Sequence, residues 1–183
     1  MPIEIVTGDI TELAVCAIVN AVNSSCMGGG GVDGAIHRAG GPEILEACRK
    51  IRRTLYPDGL PTGEAVATTA GEMPAKYVIH TVGPIWGRCG DRCDELLAAA
   101  YRHSLEKAVE LGCESVAFPA ISTGIYGFPA ERAAKIAYET VERFLDAHPD
   151  LKVLFIFHSD RHRRIFEQAI GKNEAFKASP PPF

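Results

Sequence analysis

From Asn20 to Gly34 the chain runs Asn-Ala-Val-Asn-Ser-Ser-Cys-Met-Gly-Gly-Gly-Gly-Val-Asp-Gly. Four consecutive glycines are poor structure, because glycine loses more conformational freedom on folding than any other residue. They make sense where something must lie against bare main chain. Backbone N–H groups leading into a helix start form an anion cradle, most often for phosphate. The two amides before the glycines and the single Asp33 after them turn an ordinary flexible loop into a candidate site.

Two familiar phosphate motifs do not fit. Gly29, Gly31 and Gly34 satisfy G-x-G-x-x-G, but the dinucleotide fingerprint places its first glycine directly after a strand. Here six residues separate Val22 from Gly29, and the segment after Gly34 reads as helix through Ile51. A P-loop needs Gly-Lys-Ser/Thr after the glycines, and Gly31-Val32-Asp33 is not that. An Asp in that place suggests carboxylate chemistry beside an anion rather than phosphoryl transfer.

With 183 residues, one domain with a substantial core is expected. The net charge of −4 argues against a general nucleic-acid or membrane-surface binder. Arg49, Lys50, Arg52 and Arg53 cluster, and are expected on a solvated helix face. No apolar run approaches 18 residues, and a cytoplasmic monomer is expected. The six scattered cysteines do not resemble a disulfide framework, so reduced thiols are expected. Cys89 and Cys93 lack a second pair at structural-zinc spacing, and His158 and His162 lack a zincin glutamate. Neither pair is assigned a metal.

Apolar β-rich runs occur at Ile3–Val6, Ala17–Val22, Ala65–Ala70, Tyr77–Val82, Ser115–Pro119 and Val153–Phe157. Their near-continuous hydrophobicity is that of strands covered on both faces. Helical patterns lie between them: Glu43–Ile51 after Pro42, Leu96 to Leu111 before Gly112, Ala130 to Leu145 after Pro129, and Asp160–Ile170. The alternation implies a three-layer α/β/α domain with sites beyond strand C-terminal ends. The segment from Gly171 to Phe183, with three prolines, is expected to lie outside the packed domain as a flexible tail.

Two more strand-end loops have the same character. Ile121-Ser122-Thr123-Gly124-Ile125-Tyr126-Gly127-Phe128-Pro129 is a hydroxyl-rich turn into a helix, and could close over a diphosphate opposite the first loop. Thr7-Gly8-Asp9-Ile10 ends the first strand. There Asp9 either caps a short helix or accepts from an exocyclic amine such as that of adenine.

With these loops in hand, the chain resembles the macrodomain family, in particular the MacroD-type bacterial O-acetyl-ADP-ribose deacetylases. The matching residues are Gly8-Asp9-Ile10, Ile18 to Asn23, Gly28 to Arg38, Pro74-Ala75, His80-Thr81-Val82-Gly83-Pro84 and Pro119 to Gly124, so residues 1–170 are covered. The resemblance implies a mixed sheet between helices and a cleft for ADP-ribose. Asp9 and Ile10 would hold the adenine edge and Phe157 would stack on it. Ala21, Gly30, Gly31 and Val32 would line one side of the cleft, and Ser122, Thr123, Gly124, Ile125 and Tyr126 the other. Asn23 and Asp33 fall on the pair associated with catalysis at the distal ribose. His158-Ser159 stands where an acidic residue is common.

The reaction so implied is hydrolysis of an ester on that ribose, with O-acetyl-ADP-ribose and mono-ADP-ribosylated proteins as partners and no cofactor or metal. Asp33 would accept a proton from water or fix the water in place, and Asn23 would grip a ribose hydroxyl. His37, one turn after Asp33, would pack or cap, with contact to the site as the alternative. The alternatives are an ADP-ribose reader without turnover and a regulator of an RNA-processing partner. A reader does not need the carboxylate of Asp33.

Overall fold

The computed structural model describes residues 2–171; the expected tail lies almost wholly outside them. Six strands form one sheet in the order β1-β6-β5-β2-β4-β3. They are β1 (Ile3–Thr7), β2 (Ala17–Ala21), β3 (Ala65–Thr69), β4 (Tyr77–Thr81), β5 (Ser115–Phe118) and β6 (Lys152–Phe157). All neighbours pair in parallel except β3, which runs antiparallel to β4 at one edge. The mixed sheet is thus five strands of one direction closed by one reversed strand.

Alternate residues along the inner strands feed two separate cores. Ala17, Val19, Val116, Phe118, Val153 and Phe155 face α3 (Cys93–Glu110), α4 (Ala130–Ala147) and α5 (Asp160–Ala169). Ile18, Val78, Ala117, Leu154 and Ile156 face α1 (Gly31–Gly40) and α2 (Pro42–Thr54). Both sheet faces are covered, which explains the continuous apolar runs.

Two expectations need correction. The helix read through Ile51 is two helices, because Gly41 sits at φ +83° between them and Pro42 restarts the chain as the first residue of α2. The cysteines are not all thiols. Cys16 and Cys113 are bonded, with Cα atoms 5.4 Å apart, since each precedes one of the paired strands β2 and β5. Cys89 and Cys93 close a second disulfide at the entrance to α3, leaving Cys26 and Cys48 free.

Because five strands share a direction, the ends of β1, β2, β5 and β6 lie along one edge of the sheet. The chain leaves β2 toward β3 and β4 on one side and returns through α3 to β5 on the other. Such a reversal is where open α/β sheets form a binding crevice, which here falls at the β2 end. Gly83, just past β4, lets the turn after β5 press close: a Cβ there would overlap Ser122 Oγ and Ile121 Cγ2. Gly83→Ala should therefore cost about 1–3 kcal/mol of stability through overpacking, measured by urea unfolding. An unchanged midpoint would show that the Ile121–Ser122 turn can move away freely.

Candidate functional site

Asp33 lies in the first turn of α1 and is 4% exposed. Its Oδ1 accepts from Asn20 Nδ2 at 2.8 Å, and His37 Nε2 stands 3.3 Å from the same oxygen. Asn20, on β2, is wholly buried and is paired in register with His80 on β4. Asn20 Nδ2 is also 3.2 Å from His80 Nδ1. An amide nitrogen only donates, so Nδ1 is the acceptor and Nε2 carries the imidazole proton. His80 Nε2 lies 2.8 Å from Thr68 Oγ1, whose hydroxyl donates to the Thr69 carbonyl at 2.9 Å. A continuous polar chain thus crosses the layer between the sheet and α1–α2, and it ends on one carboxylate oxygen.

Burial raises the Asp33 pKa above its ordinary value, while the Asn20 amide and His37 pull against that rise. Burial, with a smaller push from His37, lowers His80 to about 3, so it is neutral.

The other oxygen of Asp33 faces the loop. A methyl group at Gly29 would touch Asp33 Oδ2 at 3.3 Å and Asn23 Nδ2 at 3.5 Å. The two side chains therefore converge on one point, beside the Gly29 backbone. Asn23 is held by its own turn: its Oδ1 accepts from Ser25 N at 2.9 Å and from the Ser25 hydroxyl, and its Nδ2 points to Gly28 O at 3.4 Å. The turn is anchored in turn by α2. Arg52 donates to the carbonyls of Ser25, Tyr56 and Pro57, and Leu60 N to that of Ser24. Arg52 is thus a clamp on the loop, not merely part of a solvated basic face.

Gly30 caps α1 with no side-chain bond, and the helix opens at Gly31. The amides of Gly31, Val32 and Asp33 therefore belong to the unsatisfied first turn, a positive pole beside the crevice. Across the crevice, the bonds closing the second loop use Gly127 N and Phe128 N rather than the amides of residues 123–126. Ser122 there adopts φ +69°, Tyr126 O accepts from Trp86 N at 2.8 Å, and Ile125 is almost fully exposed. At the end of β1, Asp9 caps the 3-10 turn Ile10–Glu12, with both bonds from Thr11 falling on Oδ1. Oδ2 is left for another donor, so capping and ligand binding are compatible. Ile10 is buried and Ala21 half-buried at the strand ends. Phe157 is the exception: its ring is only 6% exposed and packs on Phe166 at 5.1 Å, so it offers little face to a base.

The sequence matches the family described as Macro domain over residues 19–137. The chain belongs to the macrodomain family. The O-acetyl-ADP-ribose deacetylase of Escherichia fergusonii is 52% identical over 170 residues, 92% of this macrodomain and 94% of that protein. A Macro domain-containing protein of Streptomyces coelicolor is 61% identical over 92% of this chain and 98% of its own. Among solved structures, an Oceanobacillus iheyensis macrodomain variant with ADP-ribose superimposes with a TM-score of 0.89 at 43% identity, covering 97% of this macrodomain and 94% of that chain. The Trypanosoma brucei macrodomain in complex with ADP-ribose gives 0.83 at 37% identity, covering 92% and 69%.

Asn20, His80 and Thr68 were not assigned roles by the motif reading. The available signal was a polar residue inside each of two otherwise apolar strands. His80 carries a testable consequence. An unfolded imidazole takes up a proton near pH 6.5, whereas native His80 does so only near 3. The unfolded state binds the extra proton, so stability falls as pH drops across that window, by up to ~1.4 kcal/mol per pH unit from this group. His80→Gln should flatten the acid slope of unfolding free energy measured between pH 6 and 4. Parallel slopes for the two proteins would contradict a neutral, buried His80.

Proposed function

We propose that this macrodomain is an ADP-ribose-binding ester hydrolase that removes the acetyl group from O-acetyl-ADP-ribose, and that it also frees Asp and Glu side chains of proteins from mono-ADP-ribose. The observation that carries this reading is the convergence of Asp33 Oδ2 and Asn23 Nδ2 on the Gly29 backbone. It places a carboxylate and an amide together beside two loops with unspent amides. The Escherichia relative's name supplies the ester, and the ADP-ribose complexes of the solved macrodomains supply the nucleotide.

In this reading the diphosphate lies between the first turn of α1, at Gly30, Gly31 and Val32, and the loop Ser122–Tyr126. Asp9 Oδ2 accepts from the adenine amino group, with Ile10 and Ala21 lining the cleft, and Phe157 adds only an edge. The distal ribose then reaches Asn23 and Asp33. Asn20 donates to Oδ1 of Asp33, with His37 beside the same oxygen, and so leaves Oδ2 toward the water. The water attacks the acetyl carbonyl carbon while Asp33 takes its proton. The ester C–O bond breaks, acetate departs, and the proton passes to the ribose oxygen. Such a general base is worth ~10²–10⁴-fold. Asn23 contributes by holding the ribose, which matters because small misplacements of a reacting group are costly.

The raised pKa of Asp33 suits a proton acceptor that must also release the proton each cycle. A reader of ADP-ribose has no use for a desolvated carboxylate at the ribose end. Asp33→Ala should keep ADP-ribose affinity within about tenfold, ~1.4 kcal/mol, while deacetylation falls by at least ~10²-fold. Asn23→Ala should slow turnover too, and the double variant should lose less than the product of the single losses. Calorimetry and acetate release on the same preparations read both quantities. Wild-type turnover in a folded Asp33→Ala protein would return the chain to the class of readers.

A further inference from the structure

Cys26 and Cys48 take no part in the chemistry above, yet they lie directly beneath it. Cys26 belongs to the loop between Asn23 and the glycines, at φ +57°, and its N–H donates to Asn23 O at 3.0 Å. Cys48 sits within α2. Both are completely buried, and their sulfurs are 3.8 Å apart. The other four cysteines are already joined as two disulfides, so this is the one remaining pair in contact.

We propose that Cys26 and Cys48 are an oxidation site, which a peroxide converts to a disulfide that displaces the catalytic loop. The two sulfurs are unequal partners. The contact with Cys48 lowers the Cys26 pKa and so favours its thiolate, while the same contact and burial push the Cys48 thiol up. The Cys26 thiolate attacks one peroxide oxygen, the O–O bond breaks, and the second oxygen leaves as water after protonation. Cys48 sulfur then attacks the sulfenic Cys26 sulfur, forming the S–S bond and expelling hydroxide, which leaves as water with the Cys48 proton. Two thiols lose two electrons and two protons, and one peroxide becomes two waters.

A metal ion suits these residues less well. His80 Nε2 lies 3.9 Å from Cys48 Sγ and completes a cluster of three soft donors. However, Nε2 carries the proton engaged with Thr68, and Nδ1 accepts from Asn20. A metal on Nε2 would have to break both bonds. The disulfide breaks neither.

Closing the pair to a bond length of about 2.05 Å moves the sulfurs together by nearly 2 Å. On one side the loop is clamped at Ser24 and Ser25 by Leu60 and Arg52, so the displacement passes to Met27–Gly29. That is where Asn23 and Asp33 converge. A shift of 1 Å at such a site can cost ~10²-fold in rate.

Trypsin cuts after Arg38, Arg49, Lys107 and Arg132; peptide 1–38 already carries 108–132 through Cys16–Cys113, so the new bond adds peptide 39–49 to that pair. Hydrogen peroxide should produce that three-peptide species in the wild type, reversibly with dithiothreitol, and in neither Cys26→Ser nor Cys48→Ser. Turnover, if the proposed function holds, should fall at least tenfold on oxidation and recover on reduction, with no response in Cys26→Ser. The cross-link is read by mass alone, so a protein without turnover fails the functional reading and not this one; ADP-ribose affinity then reads the loop. Oxidised protein whose Cys26 and Cys48 both remain alkylatable overturns the proposal. So does purified protein holding one zinc ion per chain with both thiols protected. A cross-link with unchanged turnover and affinity overturns the control of the loop.

Discussion

The hydrogen bond from Asn20 to Asp33 is the interaction on which the site depends. A carboxylate that is 4% exposed cannot stay ionised cheaply without a donor, since desolvation of an unpaired charge costs several kcal/mol. Asn20 supplies that donor from the centre of the sheet, and its second N–H is matched by His80. His80 in turn is kept neutral by burial and fixed in place by Thr68. Removing any link leaves a buried polar group without a partner, which is why the chain acts as a unit rather than as separate contacts. The outcome is a carboxylate with one oxygen committed inward and the other presented to the crevice.

The rest of the architecture serves that presentation. Parallel pairing of β2 with β4 sets Asn20 opposite His80, and the same direction of five strands gathers the remaining loops at one edge. Gly34 lets α1 approach its own loop: a Cβ there would come within 2.7 Å of Gly29 O and 3.0 Å of Arg38 Nη1. Arg52 ties the same loop to the end of α2. The glycines that cost entropy in the chain are thus spent where backbone must meet backbone or a ligand.

Much of this was legible in the residues. The six apolar runs are local patterns, and the strands fall on them; the two glycine-bearing loops follow strand ends as read, and Asn23 and Asp33 both lie beside Gly29. What escaped was set by tertiary register. Asn20 and His80 are 60 residues apart, and only the β2–β4 alignment brings them together. Cys16 and Cys113 are joined across 97 residues by the β2–β5 pairing, which no cysteine spacing encodes. For Phe157, a strand covered on both faces carries no alternation to say which way a ring points, and the ring turned inward toward Phe166. Pro42 marks the start of α2 in the sequence, but the end of α1 just before it rests on the Gly41 backbone at φ +83°, which the residues do not announce.

The central claim is that Asn20 holds Asp33 as the ionised group that serves the water. The pH dependence of single-turnover acetate release, compared between wild type and Asn20→Ala, tests it most directly. Burial already sets Asp33 above its ordinary 3.8, and the amide lowers it; without the amide the carboxylate should ionise at still higher pH. The account predicts an acid limb that moves upward in Asn20→Ala while ADP-ribose affinity at neutral pH changes little. Superimposable acid limbs in two folded, ligand-binding proteins would contradict it.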